Sequence, residues 1–206
     1  MTATAPSFHD TCDGASDALA QRILQQWQAR GEDLWVFGYG SLIWRPDLPY
    51  SEQRPAAVHG WHRALQMWSR VNRGTAEQPG LVFALLSGGS CRGVAFRVPR
   101  AQVPAVFPQL WQREMPLPVY EPRWLRCRTA GGQVQALGFT LSRAHPAWTG
   151  TLSDADYRRI FHSAQGRYGS TRDYAEQTLH ELRRRGIRDR ALERIVGIAG
   201  AGTITP

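Results

Sequence analysis

Residues 34–44 read LWVFGYGSLIW. The apolar run at 34–37 predicts a short buried strand. Gly38 and Gly40 follow it at once, and glycine lets the backbone turn sharply and approach a ligand closely. Successive backbone N–H groups in such a turn form a cradle for a carboxylate or an oxyanion. The same spacing is typical of an ordinary tight turn behind a core strand, so both interpretations stay open.

Two familiar motifs that place glycine after a strand do not fit here. A dinucleotide-binding fingerprint would need glycine at position 43, where the chain has Ile43, and a helix start that is missing. A nucleophile elbow would set Ser41 in a Gly-x-Ser-x-Gly frame, which the sequence lacks. The candidate ligand-binding residues of the turn are Gly38, Tyr39, Gly40, Ser41, Leu42 and Ile43.

The chain before this turn predicts a tail and a helix. Residues 1–15 are rich in Thr, Ala, Ser, Asp and Gly, which predicts a mobile tail. Ser16 is a candidate N-cap, and apolar residues then recur at helical spacing until Gly31, which can end a helix. We therefore assign residues 1–33 to an N-terminal tail and helix, and residues 34–200 to a single domain.

The chain after the turn predicts strands with one helix inserted among them. Residues 58–70 contain a second strand. Residues 81–86 and 94–98 predict a hairpin around the Ser-Gly-Gly-Ser turn signal at 87–90. Residues 103–115 predict a helix, although Pro108 would disturb its interior. A further strand pair is predicted at 120–128 and 134–141.

The last third of the chain predicts helices. Ser153 and Asp154 can start one, Ser170 or Thr171 can cap another that runs to Gly186, and the apolar residues around Leu192 indicate a third. No repeat or linker interrupts the pattern. The sequence therefore predicts an α+β domain with a strand-rich core, an inserted helix and appended helices.

Composition limits the classes of partner. The net charge is +8 and the chain has no lysine, so its basic residues are all arginines. Such a surface attracts anions, but no nucleic-acid motif accompanies it, and a small anionic substrate is the simpler use. We therefore expect no nucleic-acid partner.

Three cysteines without a Cys-x-x-Cys pair argue against a disulfide framework and a zinc site. No apolar run is long enough to span a membrane, and no signal peptide is visible at the N-terminus. We expect a soluble cytoplasmic protein with no metal, no other cofactor and no membrane attachment. The oligomeric state stays open.

Glu114 is the candidate acid–base residue. It lies between Trp111 and Leu117, where apolar neighbours would desolvate the carboxylate, raise its pKa and make it a stronger base near neutral pH. The alternative is a solvated glutamate at a helix end, paired with Arg113.

Arg73 and Tyr174 are candidate substrate contacts. Arg73 stands in an Arg-Gly-Thr loop and could bind a substrate carboxylate through a bidentate contact, or it could be a surface arginine. Tyr174 follows a helix cap and could face a pocket, or it could be a core tyrosine.

Taken together and in order, these segments resemble the ChaC family of γ-glutamylcyclotransferases. The similarity covers about residues 34–195 and includes, besides the opening turn, HGWHR at 59–63, RGT at 73–75, PGL at 79–81, GGSC at 88–91, GVAFR at 93–97, REM at 113–115 and GSTRDY at 169–174. Thr171 stands where the family pattern Gly-x-Asn-x-x-Tyr has asparagine. Threonine can still cap a helix.

The resemblance implies an activity and a fold. The activity is cleavage of glutathione to 5-oxoproline and cysteinylglycine, without metal or nucleotide, and the fold is a compact mixed β-barrel flanked by helices. The family's substrate loop falls on residues 38–43 and its catalytic glutamate on Glu114. The alternatives are a cyclotransferase for other γ-glutamyl amines or dipeptides, and a non-enzymatic γ-glutamyl-binding protein of the same fold.

Overall fold

The computed structural model describes residues 8–200. Its elements are, in chain order, α1 (Phe8–Gln28), β1 (Leu34–Gly38), β2 (Glu52–Ser69), β3 (Gly80–Val98), α2 (Val103–Glu114), β4 (Glu121–Thr129), β5 (Gly132–Thr140), α3 (Asp154–Ser163), β6 (Gln165–Gly166), β7 (Gly169–Ser170), α4 (Thr171–Arg184) and α5 (Arg190–Gly200). None of the described helices is long and apolar enough to cross a membrane.

Strands β1 to β5 form a closed barrel in the order β1-β3-β2-β4-β5. The contacts between neighbours are antiparallel except the one that closes the barrel, where β1 and β5 run parallel with Trp35 opposite Ala136 and Val36 opposite Leu137. Aromatic side chains such as Phe37, Phe96 and Phe139 are fully buried in its core. The predicted α+β fold with a mixed barrel and flanking helices is confirmed.

The predicted hairpin around residues 87–90 is wrong. Strand β3 is continuous from Gly80 to Val98 and pairs with β2 along nearly its whole length. The glycines of the turn signal lie inside this ribbon, with φ angles of 95° at Gly88 and 70° at Gly89, next to a register shift after His59. Glycine inside a strand allows a β-bulge, which twists a long two-stranded ribbon. The two glycines that resemble a turn in the sequence therefore serve a bulge in this strand.

Helix α1 begins earlier than predicted. It starts at Phe8, so the predicted tail is wrong for residues 8–15, and residues 1–7 lie outside the described part of the chain. Ser16 is therefore interior to the helix, and its Oγ accepts a hydrogen bond from Trp111 Nε1 at 3.1 Å. Ile23 and Trp27 are buried, so α1 packs its apolar face on the body of the domain.

The remaining helix predictions are confirmed. Helix α2 runs through Pro108 because its buried face, which includes Phe107 and Leu110, packs on the barrel and outweighs one missing hydrogen bond. Ser153 and Ser170 each form a capping box with the aspartate three residues later, Asp156 and Asp173. Ser170, not Thr171, is thus the N-cap of α4.

Candidate active site

Strand β1 leads directly into a tight turn. Gly38, its last residue, pairs with Val94, and Ser41–Ile43 then form one 3₁₀ turn. Ile43 N–H donates to the Gly40 carbonyl at 3.0 Å. The side chains of Leu42 and Ile43 are buried in the core, and their burial anchors the turn to the barrel.

Both glycines of the turn lie very close to neighbouring side chains. A Cβ on Gly38 would lie 3.0 Å from Leu42 Cβ and from the ring of Phe96. A Cβ on Gly40 would lie 2.9 Å from the hydroxyl oxygen of Tyr174. The sequence prediction of a sharp turn at residues 38–43 is therefore confirmed, and the turn is packed directly against Tyr174.

Tyr39 is part of the core and anchors the turn. Its hydroxyl donates to the Phe139 carbonyl at 2.7 Å, and its own carbonyl accepts a hydrogen bond from Arg63 Nε. Burial raises the pKa of this phenol well above 10. Tyr39 thus stays neutral and links β1 to β5.

Glu114 is the last residue of α2, and its side chain is 15% exposed. Burial raises the pKa of its carboxyl group above 4.5, while the charge and hydrogen bond of Arg113 act in the opposite direction. The C-terminal end of a helix also disfavours a negative charge. The structure combines one part of each alternative drawn from the sequence: the carboxylate is largely buried, and Arg113 Nε lies 3.1 Å from Glu114 Oε1.

Three tyrosines, of which Tyr39 and Tyr174 are buried and Tyr120 is partly buried, are close enough for the charge of Glu114 to act on them. The charge of Glu114 contributes to raised pKa values of Tyr39, Tyr120 and Tyr174, although burial is the largest cause for each. Tyr120 OH donates to the Phe83 carbonyl at 3.1 Å. Sequence reasoning missed Tyr120, because a tyrosine after a Pro-Leu-Pro-Val segment carries no signal of its own.

Arg73 and Tyr174 lie together, as an arginine stacked on an aromatic ring. The Arg73 Cζ atom is 4.7 Å from the ring centroid of Tyr174, and its Nη1 donates to the Tyr168 carbonyl. Burial lowers the pKa of Arg73 and raises that of Tyr174 to about 12. Arg73 makes no ion pair with any carboxylate of residues 8–200, although the charge of Asp173 acts on it from a greater distance.

The glycines of the neighbouring motifs allow three backbone segments to touch. A Cβ on Gly80 would lie 2.0 Å from the Arg73 carbonyl oxygen, and one on Gly166 would lie 2.4 Å from the amide nitrogen of Gly74. Thr171 Oγ1 accepts a hydrogen bond from the Leu81 amide at 2.7 Å. The threonine therefore ties α4 to β3 and does not cap the helix.

The arrangement offers a proton acceptor, a cation and a fixed backbone turn around one buried aromatic surface. These are parts for binding a small zwitterionic molecule and moving a proton on it. Within residues 8–200, no group of His, Cys, Asp or Glu side chains is arranged to hold a metal ion.

The barrel has known structural counterparts. It is similar to the crystal structure of a γ-glutamyl cyclotransferase specific to glutathione from yeast, with a TM-score of 0.74 over 82% of this chain and 96% of that one. The two sequences are 18% identical, so this likeness concerns the fold. The protein therefore has the γ-glutamyl cyclotransferase fold.

Sequence comparison gives a closer relationship. A family model described as ChaC-like protein matches residues 34–200. A glutathione-specific γ-glutamylcyclotransferase of Escherichia coli K12 is 34% identical over 160 residues, 77% of this chain and 69% of the relative. A glutathione-specific γ-glutamylcyclotransferase 1 of Homo sapiens is 32% identical over 68% of this chain and 66% of the relative. The chain belongs to the ChaC-like family, as its motifs indicated.

Proposed function

We propose that this protein is a glutathione-specific γ-glutamylcyclotransferase in which Glu114 acts as general base and then as general acid. The observation that carries the proposal is a desolvated carboxylate with a raised pKa near a backbone turn and a buried arginine that forms no ion pair within residues 8–200. The names of the E. coli and human relatives support glutathione as the substrate.

The reaction needs little more than a folded substrate and one proton acceptor. The α-amino nitrogen of the γ-glutamyl unit attacks its own γ-carbonyl carbon, which closes a five-membered ring. The amide bond to cysteine then breaks, so that glutathione gives 5-oxoproline and cysteinylglycine. Because the attack is intramolecular, holding the chain in the bent geometry supplies much of the acceleration. No water enters, which makes the enzyme a lyase.

Proton transfer is the part assigned to Glu114. An α-ammonium group is not nucleophilic, and an ordinary glutamate faces a pKa mismatch of roughly four units, or about 5 kcal/mol, with an amine near 8. Burial of Glu114 raises its pKa and reduces this mismatch. The protonated carboxyl group can then donate to the leaving amine of cysteine.

The substrate's other groups have candidate partners. Arg73 suits the α-carboxylate through a charge-assisted contact, and the backbone N–H groups of residues 39–42 suit the α-carboxylate or the oxyanion of the tetrahedral intermediate. Tyr174 packs between Arg73 and the turn at residues 39–42. The backbone amides of Phe83 and Ser41 lie close to its hydroxyl oxygen. We assign it to shaping the pocket that holds the γ-glutamyl unit.

We place this activity in the cytoplasm. Cys91 and Cys127 are both free thiols and both buried. Free thiols accord with a reducing compartment, which is where reduced glutathione is abundant.

The test is incubation of the purified protein with reduced glutathione, with both products quantified by mass spectrometry. We expect 5-oxoproline and cysteinylglycine in equal amounts, and no loss of activity after treatment with a metal chelator. Product from other γ-glutamyl amines but none from glutathione would contradict the proposed substrate and retain the reaction. No product from either class would favour a binding protein of the same fold.

A further inference from the structure

Arg113 connects Glu114 to the turn that follows β1. Its Nε atom lies 3.1 Å from Glu114 Oε1, and its Nη1 atom donates a hydrogen bond to the Pro46 carbonyl at 2.9 Å. Nη1 also lies 3.1 Å from Asp47 Oδ2, and Nη2 donates to Ser41 Oγ at 3.4 Å. One side chain, 23% exposed, therefore contacts the carboxylate and three points of residues 41–47.

Asp47 completes this connection from the other side. It is the one non-glycine residue of the described chain with a positive φ, 48°. Aspartate tolerates the left-handed region better than most residues, and such conformations persist where surrounding contacts hold them. Here the Asp47 carboxylate contacts both Arg113 and Arg45, the latter at 2.6 Å. The segment after the 3₁₀ turn is thus held in a conformation that meets Arg113.

We propose that Arg113 is a positioning residue, which holds the Glu114 carboxylate against the substrate-binding turn and keeps it ionised inside a desolvated site. The inference rests on the proposed role of Glu114. It goes beyond that role because it assigns the geometry and the charge state of the base to a neighbouring side chain that does not itself meet the substrate.

The electrostatics of the site support this assignment. Burial favours the neutral acid, and a nearby guanidinium favours the carboxylate. The groups facing Glu114 from other elements are the phenols of Tyr39, Tyr120 and Tyr174, which are neutral. Within residues 8–200, Arg113 is the cation that lowers the pKa of this carboxyl group. Without it, burial would act unopposed and Glu114 would take up a proton at higher pH.

The first experiment compares pH profiles of kcat. In Arg113→Gln we expect the acidic limb to move up by about one pH unit, with kcat reduced more than KM is raised. Arg113→Lys keeps the charge but cannot reach Pro46, Asp47 and Ser41 together, so we expect a normal acidic limb and a lower kcat. The matched control is Arg159→Gln, which removes an exposed arginine paired with Asp156 in α3 and should change neither quantity.

The second experiment does not depend on turnover. The side-chain carboxyl carbons of glutamate are labelled with ¹³C, and the Glu114 signal is assigned by its loss in Glu114→Gln. Its titration midpoint should rise in Arg113→Gln and stay unchanged in Arg159→Gln. An unchanged midpoint in folded Arg113→Gln would overturn the inference. A shifted midpoint in a protein that cyclises no γ-glutamyl compound would retain this electrostatic link and reject the proposed function.

Discussion

Two arginine–carboxylate pairs in this protein have similarly buried carboxylates but differ in how many partners those carboxylates have. Arg63 and Asp189 form the first pair, with side chains 2% and 18% exposed. Arg63 also donates to the carbonyls of Tyr39 and Arg92, and Asp189 Oδ1 accepts from the Leu192 amide at 3.0 Å. All three nitrogens of Arg63 and both carboxylate oxygens of Asp189 thus have partners, which tie β2, β3, α5 and the residue after β1 together.

Arg113 and Glu114 form the second pair, in which only the arginine has many partners. In the described part of the chain, Glu114 receives no hydrogen bond from a backbone amide, and one of its carboxylate oxygens has no protein partner. A carboxylate whose oxygens both have partners, like that of Asp189, holds structure. One that is desolvated and half-paired has a raised pKa and can exchange a proton. The number of partners therefore separates the structural pair from the pair that we assign to catalysis.

The largest effect is expected at the half-paired carboxylate. Glu114→Gln keeps the shape and removes the proton acceptor, so turnover should fall by about 10³-fold. The free energy of unfolding should not decrease, because a neutral amide is easier to bury than a charge. The assay is product formation per folded molecule, with Glu121→Gln at an exposed site as the control. Near-normal turnover in Glu114→Gln would contradict the assignment of this pair to catalysis.

The fully paired carboxylate should respond in the opposite way. Asp189→Asn leaves the buried Arg63 without its counter-charge, which should lower the free energy of unfolding by about 3 kcal/mol. Turnover per folded molecule should be retained. Urea denaturation measures the first quantity, and Glu176→Gln, in an exposed pair with Arg172, should change it by less than about 0.5 kcal/mol. A selective loss of kcat in folded Asp189→Asn would place this pair in the chemistry as well.

Arg73 sharpens the comparison because it is a buried arginine without a carboxylate partner in residues 8–200. If the substrate's carboxylate is its partner, Arg73→Gln should raise KM by about tenfold. The KM of Arg73→Lys should lie between the KM of this variant and that of the parent protein. The neighbouring exposed Arg70 provides the control as Arg70→Gln. Steady-state kinetics decide, and an unaltered KM would remove Arg73 from the substrate site.

The smallest effect concerns stability against pH. The folded-state pKa of Glu114 lies above its unfolded value, so the folded state binds more protons in this window. The associated stabilisation is present below about pH 4.5 and is lost as the pH rises through the folded-state pKa. Relative to Glu114→Gln, the parent protein should therefore lose stability as the pH rises across this range. Denaturant titrations at several pH values measure the difference, and parallel curves would contradict it.

Much of the fold follows from local signals in the sequence. The glycine turn after β1, the serine caps of α3 and α4, and the helix that ends at Glu114 each depend on residues within a few positions of one another. The long β3 strand was not predicted, because residues 87–90 look like a turn and only pairing with β2 keeps them extended.

The site was predictable where a motif carries it and not where distant residues meet. Residues 38–43 and Glu114 stand in recognisable segments. Tyr120 and the contact of Arg63 with Asp189 join parts far apart in the chain, and no local pattern specifies such contacts. The burial of Glu114 was a hypothesis from its apolar neighbours, whereas the bridge from Arg113 to Asp47 requires the folded backbone.

The parallel closure of the barrel has a consequence for when this site forms. Trp35 meets Ala136, roughly a hundred residues further along the chain, so β1 completes its pairing only after β5 has joined the sheet. On a ribosome, the turn at residues 38–43 is made early but gains its second flanking strand only when β5 emerges. The site therefore matures late, and a nascent chain that ends before β5 cannot close the barrel around it.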